Sequence, residues 1–169
     1  MPTYKKVVKR IADAVLRISI LCFLLMMFCG GAQVVSRYVF NMSLDWTEEV
    51  ARFMFIISSL LGAALCFRSM GHVRVDLVVM RLSARMQRQI ALLVLVADAA
   101  LFTVMLGFGV VIAWVTMGQV APATEIPMGL VYAVVPISGL LMLLFLVEQM
   151  LDIVFQKDNA APTKERTTS

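Results

Sequence analysis

Four stretches of this chain carry almost no charge: 18–36, 53–67, 89–124 broken only by Asp98, and 126–147. A helix needs about 20 mostly apolar residues to cross roughly 30 Å of hydrocarbon. Within lipid it must also satisfy every backbone N–H and C=O internally. Runs of this kind dictate membrane-spanning helices. The second run is short, but the uncharged side of the preceding LDWTEEVAR, residues 44–52, extends it by a turn. With 61% hydrophobic residues, 15% charged and a mean hydropathy of +0.90, a soluble domain is excluded. The expected fold is an all-α integral membrane protein with four transmembrane helices. Residues 1–156 form a single four-helix membrane domain, and 157–169 a polar, disordered cytoplasmic tail.

Basic residues set the orientation. Lys5, Lys6, Lys9, Arg10 and Arg17 precede span one; Arg68, Arg74, Arg81, Arg85 and Arg88 lie between spans two and three; Lys157, Lys164 and Arg166 follow span four. The other two loops hold only Arg37 and Arg52. Thirteen against two puts both termini and the middle loop in the cytoplasm. The net charge of +4 then calls for membrane lipids as a partner and for no nucleic acid. In the middle loop Val75, Val79, Leu82 and Met86 share one helical side, and Arg74, Arg81, Arg85 and Arg88 another. That periodicity predicts a short interfacial helix between spans two and three, against the plainer reading of a solvated basic loop. The basic start, apolar stretch and small residues Gly30, Gly31 and Ala32 imitate a signal peptide. Cleavage there would leave three spans and upset the charge pattern, so the stretch is read as span one.

Local signals place the helix ends. Asp45 is a plausible N-cap for span two, with Glu48 three residues on. Span three should run from about Ile90 to Trp114, which with Trp46 marks an outer aromatic belt. Thr124 can cap span four, Glu125 suits the positive helix end, and Pro127 is tolerated in the first turn. Pro136, inside span four, should kink it. Gly30 and Gly31 allow a close neighbour or a bend, and SSLLGAA brings small residues to a packed helix face.

Catalytic chemistry has little to stand on. His72 is the single histidine and has no companion metal ligands; no nucleophile elbow, zinc motif or nucleotide fingerprint occurs, and no cofactor is implied. Cys22, Cys29 and Cys66 form no CxxC pair and read as small apolar residues inside spans. Asp98 is the anomaly. An acid deep in a membrane costs about 2.5–3.5 kcal/mol on insertion scales and should face protein or water. Counting from the ends of the runs puts Ser58, Ser59 and Ser138 near its depth. Asp98 is then either a hydrogen-bonded link between helices or a proton or ion relay.

LDWTEEVAR raises a second question. Glu48 and Arg52 form an i,i+4 pair in the favourable order, and the helix dipole accommodates Asp45 and Glu48. Glu49 is harder to explain, because it shares a side with Trp46 and Phe53. A charge between two aromatics points to a contact beyond local capping. Arg37 is the intramolecular candidate, and a second protein the other. Arg37, Trp46, Glu48, Glu49 and Arg52 are therefore candidates for a partner interface.

RYVFN at 37–41, WTEEVAR at 46–52, LGAA at 61–64, RSMGHVRVD at 68–76 and EIPMGLVYAVVPISGLLM at 125–142 together resemble the small membrane subunit of the tripartite ATP-independent periplasmic (TRAP) transporters. The similarity covers most of residues 11–150, in matching order. Where members often carry Leu-Pro before span three, this chain has Leu82-Ser83. The resemblance implies a bacterial inner-membrane scaffold for a large transport subunit. That subunit takes up an organic acid, often a carboxylate, on an ion gradient, usually sodium, after delivery by a periplasmic binding protein. The competing reading is a stand-alone four-span proton-coupled exporter using Asp98. The charge pattern makes one expectation directly testable. Reporter fusions after Ser169 and within residues 70–88 should be active as cytoplasmic, and those near Gln119 as periplasmic; a periplasmic C-terminus would refute the four-span reading.

Overall fold

A computed structural model describes residues 2–42, 44–70 and 84–159. They form α1 (Pro2–Val39), α2 (Asp45–Met70), α3 (Ala84–Val115), a 3-10 turn (Thr116–Gly118), α4 (Met128–Tyr132) and α5 (Val134–Asn159). Four helical stretches are long and apolar enough to cross a membrane: Tyr4–Val39, Asp45–Ser69, Leu92–Gly118 and Met128–Leu151. The expected interfacial helix, with Arg74 and Arg81, lies outside the described residues. Arg85 and Arg88 fall in the first turns of α3, which begins at Ala84, while its apolar span Leu92–Gly118 lies close to the expected Ile90 to Trp114. The last span stays helical to Asn159, into the segment expected to be a tail.

A tight turn joins α1 to α2. Asn41 takes a left-handed φ of 53°, a conformation asparagine tolerates better than most residues. Met42 N–H thereby returns to Ser36 O (3.2 Å), and Ser36 Oγ donates to Met42 O (2.9 Å). The short connection forces the two helices antiparallel, and they pack along their length.

The spans are not arranged as a square. α1 packs chiefly on α2, α2 on α5, and α5 on α3. Burial follows that order: the apolar windows of the second and fourth spans are 28% and 39% buried, those of the first and third only 6% and 11%. α2 and α5 are therefore the central pair. Val8 and Ala12 of α1, Ala64 and Phe67 of α2, Phe102 of α3, and Phe145 and Leu146 of α5 make one cluster at the end of the bundle that holds the N-terminus. Phe102 stands edge-on to Phe67, with ring centroids 4.8 Å apart. Phe53, Ala121 and Val131 form a second cluster at the opposite end.

Close backbone approach unites α3 with the last span. A Cβ on Gly109 would lie 2.9 Å from Pro136 N, and one on Gly139 3.1 Å from Leu106 N. One on Gly129 would collide with Ala113 O. Between lipid-facing helices no water is released on contact, so such close packing carries much of the association. Gly30 and Gly31 serve no such contact: nothing described lies within 4 Å of a Cβ at either, and α1 runs through both as one helix. The helix break falls in the last span instead. Pro136 has no N–H to offer Tyr132 O, and the helix is interrupted at Ala133, while Ile137 N still reaches Ala133 O at 3.3 Å.

Thr124 does not cap that span. The N-cap is Pro127, with no side-chain hydrogen bond, because residues 119–128 fold into a small hairpin. Met128 N donates to Gln119 O (2.8 Å), Ala121 N to Ile126 O (3.0 Å), and Glu125 sits at φ 55° at its turn. The glycine contacts yield a test. Gly129→Ala should destabilise the detergent-solubilised protein by about 1–3 kcal/mol, the usual range for overpacking. Gly30→Ala should leave the thermal midpoint unchanged, and equal midpoints for both variants would refute the close α3–α4 seam.

Candidate functional site

Glu49 is where the polar entry of α2 turns inward. Its side lies toward Phe53, and the residue is 8% exposed. Oε2 accepts three hydrogen bonds from the hairpin over the bundle end: Ala123 N–H (3.2 Å), Thr124 N–H (2.7 Å) and Thr124 Oγ1 (2.7 Å). Consecutive backbone N–H groups of a turn make a concave donor set suited to an anion. The contact beyond local capping is therefore real, but it is made to the loop between spans three and four and not to Arg37. Arg37 lies exposed in the last turn of α1. Thr124, read as a helix cap, is the residue that closes on Glu49.

Glu48 and Arg52 pair as expected. Arg52 Nη2 lies 3.1 Å from Glu48 Oε1, with the side chains 63% and 58% exposed respectively. Gln33 Nε2 of α1 adds a bond to Glu48 Oε2 at 3.2 Å. Trp46 is half exposed on the same end. Neighbouring acids thus divide the work. Glu48 is a surface charge worth a few tenths of a kcal/mol, whereas Glu49 is a buried anchor whose loss strands charge-assisted donors.

A second anchor at the other end was not anticipated. Arg68 Nε and Nη2 donate to Glu148 Oε2 and Oε1 at 2.8 and 3.0 Å, a bidentate pair between α2 and α5. The guanidinium also lies 5.4 Å from the centre of the Phe145 ring, and Gln149 Nε2 donates to Phe67 O (3.2 Å). The signal was present in the sequence. Arg68 and Glu148 each follow an uncharged run directly, on two spans that point the same way, with opposite charge. Charges at the end of a run were read only as boundaries and orientation marks.

Asp98 sits elsewhere than the run-counting put it. Gly109 opposes Pro136 and Gly139 opposes Leu106, so the antiparallel register sets Asp98 opposite Val147, at the level of the Arg68–Glu148 pair. Ser138 stands nine residues from Val147, about 13 Å along the helix. Ser58 and Ser59 are at the level of Ser138, not of Asp98. The count failed because α3 starts well before its uncharged run. Ser58 and Ser138 donate to carbonyls of their own helices, Phe55 O and Val135 O. Ser59 is exposed and, with Ser19, Phe23, Leu24 and Phe55, lines a groove of about 300 Å³ between α1 and α2. Among the described residues no three His, Cys, Asp or Glu side chains gather as a metal site.

Residues 26–156 match the family described as tripartite ATP-independent periplasmic transporters, DctQ component. A Haemophilus influenzae protein named as a TRAP transporter small permease is 31% identical over 83% of this chain and 86% of its own length. A Rhodobacter capsulatus C4-dicarboxylate TRAP transporter small permease, DctQ, is 35% identical over 66% of this chain and 52% of its own. An Oleidesulfovibrio alaskensis isethionate TRAP transporter permease, DctMQ, is 32% identical over 62% of this chain but only 17% of its own length.

The two anchors are expected to differ from the surface pair when broken. Glu49→Ala should lower the unfolding midpoint well beyond Glu48→Gln, and Thr124→Val should reproduce part of the loss. Exchanging Arg37 and Glu49 should restore nothing. Recovery by that exchange would show that the carboxylate pairs with Arg37 after all.

Proposed function

The chain belongs to the DctQ-component family of the tripartite ATP-independent periplasmic transporters, and from that membership we propose that it braces a large membrane subunit during ion-driven uptake of an organic acid. It is a multi-pass inner-membrane protein and a transporter subunit, not an enzyme. In the proposed assembly a periplasmic protein binds the substrate and delivers it, and the large subunit moves it with a gradient, usually of sodium. Both termini of this chain face the cytoplasm, and the Glu49 end faces the periplasm.

The observation that carries the bracing role is the relation to the longer relatives. The isethionate permease, whose name DctMQ joins a second component to the DctQ one, is matched by this chain over only 17% of its length. A second long relative, a sialic acid TRAP transporter permease of Haemophilus influenzae, is matched over 7% of its length at 40% identity. The substrates that the relatives are named for, a sulfonate, a C4-dicarboxylate and a sialic acid, have in common that each is a small organic anion. Asp98 stands level with the Arg68–Glu148 pair and apart from Ser58 and Ser138, which favours a structural role for it over a self-sufficient proton relay.

Proteoliposomes test the reading. With the large subunit, the binding protein and an inward sodium gradient, this chain should support uptake from a panel of labelled succinate, isethionate and sialic acid. Omitting either membrane chain or collapsing the gradient should abolish it. Uptake by this chain alone would refute the proposal.

A further inference from the structure

The uncharged run of α1 is out of step with the helix it packs on. The run 18–36 is centred on Met27, and the α2 run 53–67 on Leu60. Yet Val15 packs with Leu61, and Ser19 Oγ donates to Ser58 O at 3.1 Å. Leu60 therefore stands opposite the turn 17–21, not Met27. The offset is about six to ten residues, or about 9–15 Å at 1.5 Å per residue. α3 and the last span show no such offset relative to α2: the glycine contacts and the Arg68–Glu148 pair keep their uncharged runs level.

One flat bilayer cannot serve both helices. Set on α2, α3 and α5, it places Arg17, which is exposed, in mid-hydrocarbon and leaves Tyr38, Val39 and Phe40, 65–82% exposed, in water. Set on α1, it immerses the exposed Glu48–Arg52 pair. Tilting does not remove the conflict. Helices about 9 Å apart would need a tilt of about 45–60° to shift by about 9–15 Å, beyond the observed range of about 0–40°.

We propose that the outward face of α1 is covered by the large membrane subunit, which supplies an acidic or carbonyl acceptor to Arg17 and an apolar surface to the α1–α2 tip. This rests on the assignment of the chain as a transporter small subunit. Arg17, Ile20 and Leu24 share one side of α1, spaced three and four residues apart, and that side borders the groove containing Ser19 and Ser59. Arg17 takes part in neither the Glu48–Arg52 nor the Arg68–Glu148 pair, and its acidic neighbour on the helix, Asp13, stands one turn nearer the N-terminus. Small and hydroxyl-bearing residues beside a groove let a foreign helix approach closely. The opposite edge of the row has another character. The exposed face of α3 presents Leu93, Val96, Leu101, Phe108 and Trp114, and no charge occurs from 99 to 115. That edge is suited to lipid, so the partner is placed on α1.

Site-specific photo-crosslinking in the assembled complex tests the assignment. Benzoylphenylalanine at Leu24 or Phe28 should give an adduct carrying the tag of the large subunit, at least tenfold stronger than from Leu93 or Phe108. Arg17→Leu, which a lipid-facing position would accept, should reduce co-purification at least tenfold, and Arg17→Lys should retain it. Adducts from α3 in place of α1, with the complex intact, would overturn the face but not the function. Undiminished co-purification of Arg17→Leu would do the same. Failure of the unaltered chain to co-purify with the large subunit would overturn the functional reading itself.

Discussion

The bundle depends on the seam between α2 and α5. α1 is held mainly by α2 and α3 mainly by the last span, so this seam is the main join between two helical pairs. In lipid the seam gains nothing from excluding water, because the tails around it are as apolar as leucine. Its stability must come from contact and from polar bonds that have no good alternative in hydrocarbon. Ala64 at 0% exposure against Phe145 at 0% supplies the first; Arg68–Glu148 and Glu49 supply the second.

The two polar anchors work at opposite ends and by different means. Arg68 meets a carboxylate of the neighbouring helix directly, with geometry that fills both oxygens. Glu49 fixes a loop, and through it the start of the last span, whose helix has no side-chain cap of its own. Removing either carboxylate leaves buried donors facing an apolar surround, a larger loss than the bond itself. This explains why the exposed Glu48 and the buried Glu49 are not equivalent despite being adjacent. A residue one step along a helix turns by about 100° and meets a different environment.

The four spans were legible because hydrocarbon imposes length and apolarity on each segment independently of its neighbours. The i,i+4 pair Glu48–Arg52 was legible for the same reason: it is local. Glu49 was recognisable as needing a remote partner, since charge, aromatic neighbours and helical side can be read from nine residues. Its partner was not, because Thr124 is equally good as a helix cap, and only the hairpin at 119–128 decides between the two. Asp98 was misplaced in depth by assuming that helices begin where charges stop. The contacts of Gly109, Gly129 and Gly139 depend on which helices are neighbours, and the order α1–α2–α5–α3 has no signature in any single span.

That order bears on what the chain can do. Among the described residues, a groove of about 300 Å³ is bordered by one outer and one central helix and lies open to the side. Moving an anion across a membrane requires polar groups held inside but available to the substrate. Here no buried side-chain nitrogen or oxygen among the described residues lacks a partner. The two buried charge sites are closed on themselves, Glu49 by three donors and Arg68 by Glu148. Satisfied polar groups stiffen a bundle and leave nothing to exchange with a passing ligand. The polar bonds of the described residues are thus committed to holding α2 and the last span in fixed register, the rigidity that the proposed bracing role calls for.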